Sequence, residues 1–159
     1  MILVLLGTHK IGFQRLLDAV KKNIDNGTIN CKVIAQVGHT KFNSDDIEIF
    51  DLIPIDKIEQ LIDEAEIVIT HGGVGSIVGA LKKHKKIIAM PRLGQYGEAA
   101  NNHQQEIVSI FEKKGYIKSI NNAEDLTKVL SEIDSFVPNI YTSNTENIIK
   151  IITEFIDKN

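Results

Sequence analysis

The chain has 159 residues, 43% of them hydrophobic and 25% charged, with 18 Lys and Arg against 21 Asp and Glu. Its length suits one globular domain, its apolar content excludes a disordered chain, and its single cysteine, Cys31, excludes a disulfide framework and indicates a reducing, cytoplasmic compartment. A net charge of −3 gives no general attraction to nucleic acid, and no apolar run approaches the ~20 residues that span a bilayer. The N-terminus also lacks the basic flank and cleavage site of a signal peptide.

Apolar segments of strand length alternate with segments of helical period along the chain. Strands are predicted at residues 2–6, 32–37, 47–53, 67–70, 87–90 and 116–120. Helices are predicted at about 13–20, 56–62, 77–81, 98–114, 122–133 and 143–157, with Asp56 as one N-cap and Ser143-x-x-Glu146 as a capping box. This alternation predicts a single domain with a doubly wound, Rossmann-like, mainly parallel α/β sheet. Ligands of such sheets bind beyond the carboxyl ends of the strands.

The fourth predicted strand leads into a helix through a glycine-rich turn, Thr70-His71-Gly72-Gly73-Val74-Gly75-Ser76. Glycines let backbone N–H groups approach a ligand closely, and the helix dipole adds about half a positive charge. With the Ser76 hydroxyl and the His71 ring, the turn is a candidate phosphate site. The alternative is a tight turn that needs positive φ angles, with His71 as an incidental polar residue.

Two common nucleotide motifs are absent. Val78 stands where a dinucleotide-binding motif has its third glycine, and the chain contains no G-x-x-x-x-G-K-[ST] segment. NAD binding and P-loop phosphoryl transfer are therefore disfavoured.

A polar segment, residues 91–105, follows the fifth predicted strand. On the helix predicted there, Gln104 lies on the inward stripe with Ala100 and Ile107, where its amide is placed to bind sugar hydroxyls. The alternative is that Gln104 and Asn101 only satisfy backbone groups or water at the helix start. Glu98 needs no functional explanation, because the helix dipole alone favours an acidic residue near a helix N-terminus.

Together these motifs resemble a known family. The turn at 70–76, Pro91-Arg92, Tyr96-Gly97-Glu98, Asn102-His103-Gln104 and the opening Gly7-Thr8-His9 resemble the C-terminal domain of glycosyltransferase family 28. Within it, the chain is most similar to small catalytic subunits of two-part bacterial exopolysaccharide and capsule glycosyltransferases (PssE-like). The catalytic subunit of the eukaryotic two-part N-acetylglucosaminyltransferase that builds dolichol-linked chitobiose is a more distant relative.

The resemblance implies one half of a GT-B enzyme, the half that binds a UDP-sugar. It implies a membrane-anchored partner subunit that binds the acceptor, a sugar on a polyprenyl diphosphate, so the chain would lie at the inner face of the membrane. Gly72, Gly73, Gly75 and Ser76 would hold the diphosphate, with Gly7, Thr8 and His9 nearby, and the donor sugar would face three residues: Asn102, His103 and Gln104.

One departure from the family pattern concerns the donor ribose. Family members usually carry a glutamate, associated with the ribose, where this chain has Gly79. Three alternatives are open. Another group replaces that carboxylate, the donor binds weakly until the partner is present, or this protein is impaired in its function.

Catalysis by this half requires stabilisation of the departing UDP. The sequence lacks an Asp-x-Asp motif and any cluster with metal-ligand spacing, so no metal or cofactor is expected. Backbone N–H groups of 72–76 would stabilise the diphosphate, helped by Ser76 and by His71, His9 or Arg92. The resemblance implies inversion by direct displacement, with the general base on the partner; His9 is the candidate base from this chain.

Two segments are candidates for contacts with other molecules. The basic run 82–86 is interpreted as a solvated helix end, with binding of anionic lipid heads as the alternative. The apolar stripe of the final predicted helix is interpreted mainly as core, with part of it docking the partner.

Two other functions stay open at this point. A non-catalytic nucleotide-sugar-binding or regulatory module is the main alternative to an enzyme subunit, because Gly79 removes the expected ribose contact. A complete small α/β enzyme is the other, although no nucleophile–base pair or acid dyad can be named from spacing.

Overall fold

The computed structural model describes residues 1–142, which form a six-stranded parallel sheet with helices on both faces. The strands are β1 (Ile2–Leu5), β2 (Val33–Gln36), β3 (Ile47–Phe50), β4 (Ile67–Thr70), β5 (Lys86–Ala89) and β6 (Lys118–Ser119). The helices are α1 (Gln14–Asp25), α2 (Ile55–Glu64), α3 (Val74–Lys82), α4 (His103–Lys113) and α5 (Ala123–Glu132). The strand order is β3-β2-β1-β4-β5-β6, which confirms the predicted doubly wound α/β fold.

The sheet is buried on both faces because successive strand residues point in opposite directions. Ile2 and Val4 of β1 pack into one apolar cluster with α1 and α5, whereas Leu3 and Leu5 pack into the other with α2, α3 and α4. This double burial is why the central strands are continuous apolar runs rather than alternating ones.

The central strands end level with one another at one edge of the sheet. Leu5 pairs with Gln36 on one side and Thr70 on the other, and Thr70 pairs with Ala89. The strand order reverses between β1 and β4, so the chain leaves these two neighbours toward opposite sides, which leaves a crevice at that edge.

The long helix predicted at 98–114 is wrong at its start. A single 3₁₀ turn covers Gly94–Tyr96, Gly97 adopts φ +67°, and α4 begins only at His103. Glu98 is consequently not in a first helical turn. It is buried, and its carboxylate accepts hydrogen bonds from Arg15 Nε at 2.9 Å, Arg15 Nη2 at 2.7 Å and the Leu93 N–H at 3.1 Å.

Of two predicted helix starts, the N-cap at Asp56 is wrong and the start at Asn122 is confirmed. Asp56 is not the N-cap of α2, because Pro54 occupies that position and Asp56 lies within the first turn, where the helix dipole still favours an acid. Asn122, where the next-to-last predicted helix begins, does cap α5, and its side chain accepts the Asp125 N–H at 2.8 Å.

Lysines of the basic run bind the end of a neighbouring helix. Lys83 Nζ donates to the Glu59 carbonyl at 2.9 Å and to the Asp63 carboxylate, and Lys85 Nζ donates to the Asp63 carbonyl at 2.7 Å. These cations complement the carbonyl end of α2 as well as that of α3. Lys82 and His84 stay exposed, and lipid binding by the run stays a prediction.

The predicted final helix, about residues 143–157, lies outside the described residues, and its docking to a partner stays a prediction. None of the helices in the described part of the chain is long and apolar enough to cross a bilayer.

We expect that breaking the Arg15–Glu98 pair from one side destabilises the fold strongly. Glu98→Ala leaves a largely buried guanidinium without its counter-charge, so the free energy of unfolding should fall by about 3 kcal/mol. The control is Glu66→Ala, which removes an exposed pair with the N-terminal amine and should change stability by less than about 1 kcal/mol. Urea unfolding measures both, and equal midpoints for the two variants would contradict the assignment.

Candidate functional site

A cleft of about 380 Å³ opens beyond the carboxyl ends of β1, β2 and β4, on the side of the sheet that α2 and α3 cover. It lies beside the point where the strand order reverses, which is the usual ligand position in this type of sheet. Its lining residues are Leu5, Gly7, Thr8, Gln36, Ile55, Ile58, Glu59, Ile62, His71, Gly73, Gly75, Ser76 and Gly79.

The N-terminus of α3 lies in this cleft without a side-chain cap. Gly73 occupies the N-cap position, and the first intrahelical hydrogen bond runs from the Ile77 N–H to the Gly73 carbonyl at 3.1 Å. The N–H groups of residues 74–76 therefore lack intrahelical acceptors. A Cβ added at Gly75 would meet no atom within 4 Å, so the space beside this residue is open. Unpartnered N–H groups and the helix dipole together favour an anion here.

His71 fills the gap between the two loops of the cleft. A Cβ at Gly7 would lie 2.7 Å from His71 Cε1, and a Cβ at Gly73 would overlap His71 Nε2, so both glycines are needed for this close packing. His71 Nδ1 lies 3.1 Å from the Leu5 carbonyl. Since a carbonyl only accepts, Nδ1 carries the hydrogen, and Nε2 of the neutral ring is an acceptor.

The charge state of His71 follows from its surroundings. Burial lowers the pKa of His71 below its ordinary value, the Leu5 hydrogen bond opposes this shift, and the nearby Arg92 and His9 charges add to it. The His71 ring is therefore neutral at pH 7 in the ligand-free site.

Gln36 fixes the loop after β1. The Gly7 N–H donates to Gln36 Oε1 at 3.1 Å, and Gln36 Nε2 donates back to the Gly7 carbonyl at 3.1 Å. Gly7 itself adopts φ +72°, and Thr8 follows it on the cleft wall. Sequence reasoning missed Gln36, although a buried amide at the end of an apolar strand was a readable signal. His9 is exposed, accepts the Ile11 N–H at 3.2 Å and does not line the cleft.

Arg92 supports the same loop from inside the protein. Its guanidinium donates to the carbonyls of Leu6 at 3.2 Å, Ile11 at 2.7 Å and Gly12 at 3.1 Å, and it stacks on the Phe13 ring at 4.8 Å. Arg92 is only 1% exposed and does not line the cleft. In this structure Arg92 shapes the loop after β1, and its contact with a diphosphate stays a prediction.

Gly72 also serves packing. It adopts φ +86°, and a Cβ there would lie 2.6 Å from Val108 Cγ2 of α4. Of the four residues expected to hold a diphosphate, the structure brings Gly73, Gly75 and Ser76 together in the cleft and places Gly72 against α4.

The predicted sugar-facing residues lie at the start of α4, outside the cleft lining. Asn102 Oδ1 accepts the Gly94 N–H at 3.0 Å, and Gln104 Oε1 accepts the Arg92 N–H at 3.1 Å. The structure thus shows the alternative considered for Gln104, in which its amide satisfies a backbone group. His103 is exposed. Sugar binding by these three residues stays a prediction.

One face of α2 contributes an unexpected wall of the cleft. Ile55, Ile58, Glu59 and Ile62 share that face at i, i+3, i+4 and i+7 spacing. Ile55 directly follows Pro54 at the tip of the helix and is 76% exposed.

Two other cavities differ from this cleft in their lining. One of about 440 Å³ lies between α1 and α5 beside Arg15; it includes the first residues of both helices, Gln14 and Ala123, but also the carboxylates of Asp18 and Glu98. One of about 460 Å³ lies beside His39 and includes no helix start. Within residues 1–142, no three His, Cys, Asp or Glu side chains come together in a metal-binding arrangement. Metal independence stays a prediction.

The sequence is similar to known glycosyltransferase sequences. The profile of the glycosyltransferase family 28 C-terminal domain matches residues 1–158. The UDP-N-acetylglucosamine transferase subunit ALG13 of Kluyveromyces lactis is 30% identical over 125 residues, which are 74% of this chain and 61% of that protein. The chain therefore spans less than two thirds of this relative's length.

Solved structures of other proteins share the fold. An NMR solution structure of ALG13 matches with a TM-score of 0.59 at 18% identity, covering 94% of this chain and 93% of that chain. A crystal structure of a putative UDP-N-acetylglucosamine 2-epimerase from Listeria monocytogenes matches with a TM-score of 0.67 at 13% identity, covering 99% and 45% of the two chains. At these identities the likeness shows the fold alone.

The buried neutral His71 predicts a pH dependence of stability. Its pKa is lowered in the folded protein, so below about 6.5 the unfolded chain binds a proton that the folded chain does not. The free energy of unfolding should therefore fall as the pH is lowered through 6.5, until the folded-state pKa is passed. Urea unfolding between pH 7.5 and 5 in a phosphate-free buffer measures this, with His71→Gln as the variant that loses the contribution. An NMR titration of His71 with a midpoint at or above 6.5 would contradict the assignment.

Proposed function

This chain belongs to the glycosyltransferase family 28 C-terminal domain family, and we propose that it is the donor-binding, catalytic subunit of a two-part UDP-sugar glycosyltransferase. The observation that carries the proposal is the uncapped N-terminus of α3, which opens into a cleft at the switch point of the sheet. A nucleoside diphosphate is the ligand whose charge suits this position.

The cleft has separate surfaces for the parts of such a donor. The N–H groups of residues 74–76 and the Ser76 hydroxyl face the diphosphate, with Thr8 on the opposite loop. Ile55 and Ile58 of α2 supply an apolar wall for the flat base. Neutral His71 adds no charge of its own, so in the unprotonated site the positive potential comes from the helix start.

The proposed reaction is a direct displacement at the anomeric carbon. The acceptor hydroxyl oxygen forms a bond to C1 of the donor sugar, the bond from C1 to the diphosphate oxygen breaks, and a general base takes the hydroxyl proton. Negative charge develops on the departing UDP, where fixed N–H groups stabilise it by several kcal/mol. We assign the base to the partner subunit and keep His9 as the candidate from this chain.

The partner and acceptor are part of the proposal. We propose a membrane-anchored subunit that binds the acceptor, a sugar on a polyprenyl diphosphate, and holds this chain at the inner face of the membrane for extracellular polysaccharide synthesis. The motif resemblance supports this choice. The Kluyveromyces relative is named as an N-acetylglucosamine transferase subunit, so UDP-N-acetylglucosamine is the first donor to test and other UDP-hexoses come next.

A second candidate function is a nucleotide-sugar-binding module without catalysis. Gly79 favours it, because the cleft-facing side of α3 offers no side chain at the position where a carboxylate was expected.

Binding and transfer assays separate the two functions. Calorimetry with UDP and a panel of UDP-sugars tests donor binding, and transfer assays with and without a membrane fraction that contains the candidate partner test turnover. The enzyme subunit predicts binding with partner-dependent transfer. Binding without transfer in the presence of the partner would favour the regulatory module, and the absence of any nucleotide binding would contradict both.

Variants of the helix start test the position of the diphosphate. Ser76→Ala removes one hydrogen bond to a charged group and should weaken UDP binding about tenfold. Gly73→Val should weaken it more, because the added Cβ overlaps His71 Nε2 and the side chain enters the cleft. Ser131→Ala in α5 is the control and should bind like wild type. Unchanged UDP affinity and turnover in Ser76→Ala and Gly73→Val would contradict the assignment.

A further inference from the structure

Of residues 1–142, Glu59 is the one acidic residue that lines the cleft. It shares the cleft-facing side of α2 with three isoleucines, Ile55, Ile58 and Ile62, and is exposed. Among residues 1–142 its carboxylate has neither a hydrogen-bond donor nor a cationic partner. The nearby Lys83 Nζ binds the Glu59 carbonyl at 2.9 Å and the Asp63 carboxylate instead. The Glu59 carboxylate is therefore available to a ligand.

The helix opposite Glu59 leaves room for that ligand. Gly75 and Gly79, one turn apart on α3, present no side chains to the cleft, and a Cβ at Gly79 would first meet Ile62 Cδ1 at 3.8 Å. A neighbouring cavity of about 500 Å³ shares Glu59, Ile62, Gly75 and Gly79 with the cleft, so the trough between the two helices continues past Glu59. A molecule anchored at the start of α3 can extend between these helices beside the carboxylate.

The chemistry of the trough fits the sugar next to a diphosphate. A carboxylate repels phosphate oxygens but accepts hydrogen bonds from two neighbouring hydroxyls, as the ribose of a nucleotide offers. In doubly wound sheets an acidic side chain commonly recognises ribose in this way while the helix start holds the phosphates.

We propose that Glu59 binds the ribose 2′- and 3′-hydroxyls of the donor nucleotide across the space that Gly79 leaves open. The glutamate expected on α3 from the family resemblance is thus replaced by one on α2, which reaches the same trough from its other wall. The inference rests on the proposed function, because it takes the ligand to be a nucleoside diphosphate.

The test compares UDP with 2′-deoxy-UDP on the full chain by calorimetry. The readout is the ratio of the UDP affinity to the 2′-deoxy-UDP affinity. Removing the Glu59 charge changes the attraction of the site for both diphosphates equally, so this effect cancels in the ratio. Wild type should prefer UDP about tenfold, the value of one hydrogen bond to a charged group. Glu59→Ala should bring the ratio close to one. Glu64→Ala removes a carboxylate from the same helix outside the cleft and should keep the wild-type ratio.

A rescue variant checks that the effect comes from the trough. Gly79→Glu in the Glu59→Ala background places a carboxylate on the opposite wall, where a Cβ makes only ordinary contact with Ile62, and should restore the preference for UDP. UDP binding by wild type without any preference over 2′-deoxy-UDP, or a preference that survives in Glu59→Ala, would overturn the role of Glu59 and leave the proposed function standing. Absence of UDP binding by wild type would overturn both.

Discussion

The site depends on a helix start whose N–H groups find no acceptor among residues 1–142. An uncapped N-terminus costs stability unless water or a ligand supplies the missing acceptors. In this chain the turn before α3 keeps a side chain from doing so, because Gly73 holds the N-cap position and His71 points away toward the Leu5 carbonyl. The same turn packs closely against the loop after β1. The His71 ring lies so near Gly7 that a Cβ there would be 2.7 Å from His71 Cε1, which only glycine avoids.

The polar residues behind this surface act mainly by holding loops. Gln36 binds both backbone groups of Gly7, and Arg92 binds three carbonyls of the loop that runs from Leu6 to Gly12. Glu98 and Arg15 fix the segment after β5 in a comparable way. Buried charge is expensive unless it is paired, so these contacts fix the loops in one arrangement. The cleft is consequently formed before a ligand arrives, which lowers the ordering cost of binding.

The sheet and the helix start could be predicted from the sequence because their signals are local. Buried parallel strands appear in the sequence as continuous apolar runs. The glycine-rich segment that follows the β4 run indicates a turn into a helix. The contacts of Arg92 and Glu98 and the surroundings of Glu59 were not predicted, because they depend on what packs opposite each side chain. Arg92 meets carbonyls of a loop about 80 positions earlier in the chain, and Glu98 meets Arg15 of α1. The proposed role of Glu59 depends on the space that Gly79 of a different helix leaves beside it.

The central claim is that the start of α3 binds the diphosphate of an activated sugar through its backbone. The most direct measurement is an experimental structure of this chain with UDP at a saturating concentration. The account predicts diphosphate oxygens within hydrogen-bond distance of the N–H groups of residues 74–76 and of the Ser76 hydroxyl. Ordered UDP at another position, with the start of α3 left to solvent, would contradict it.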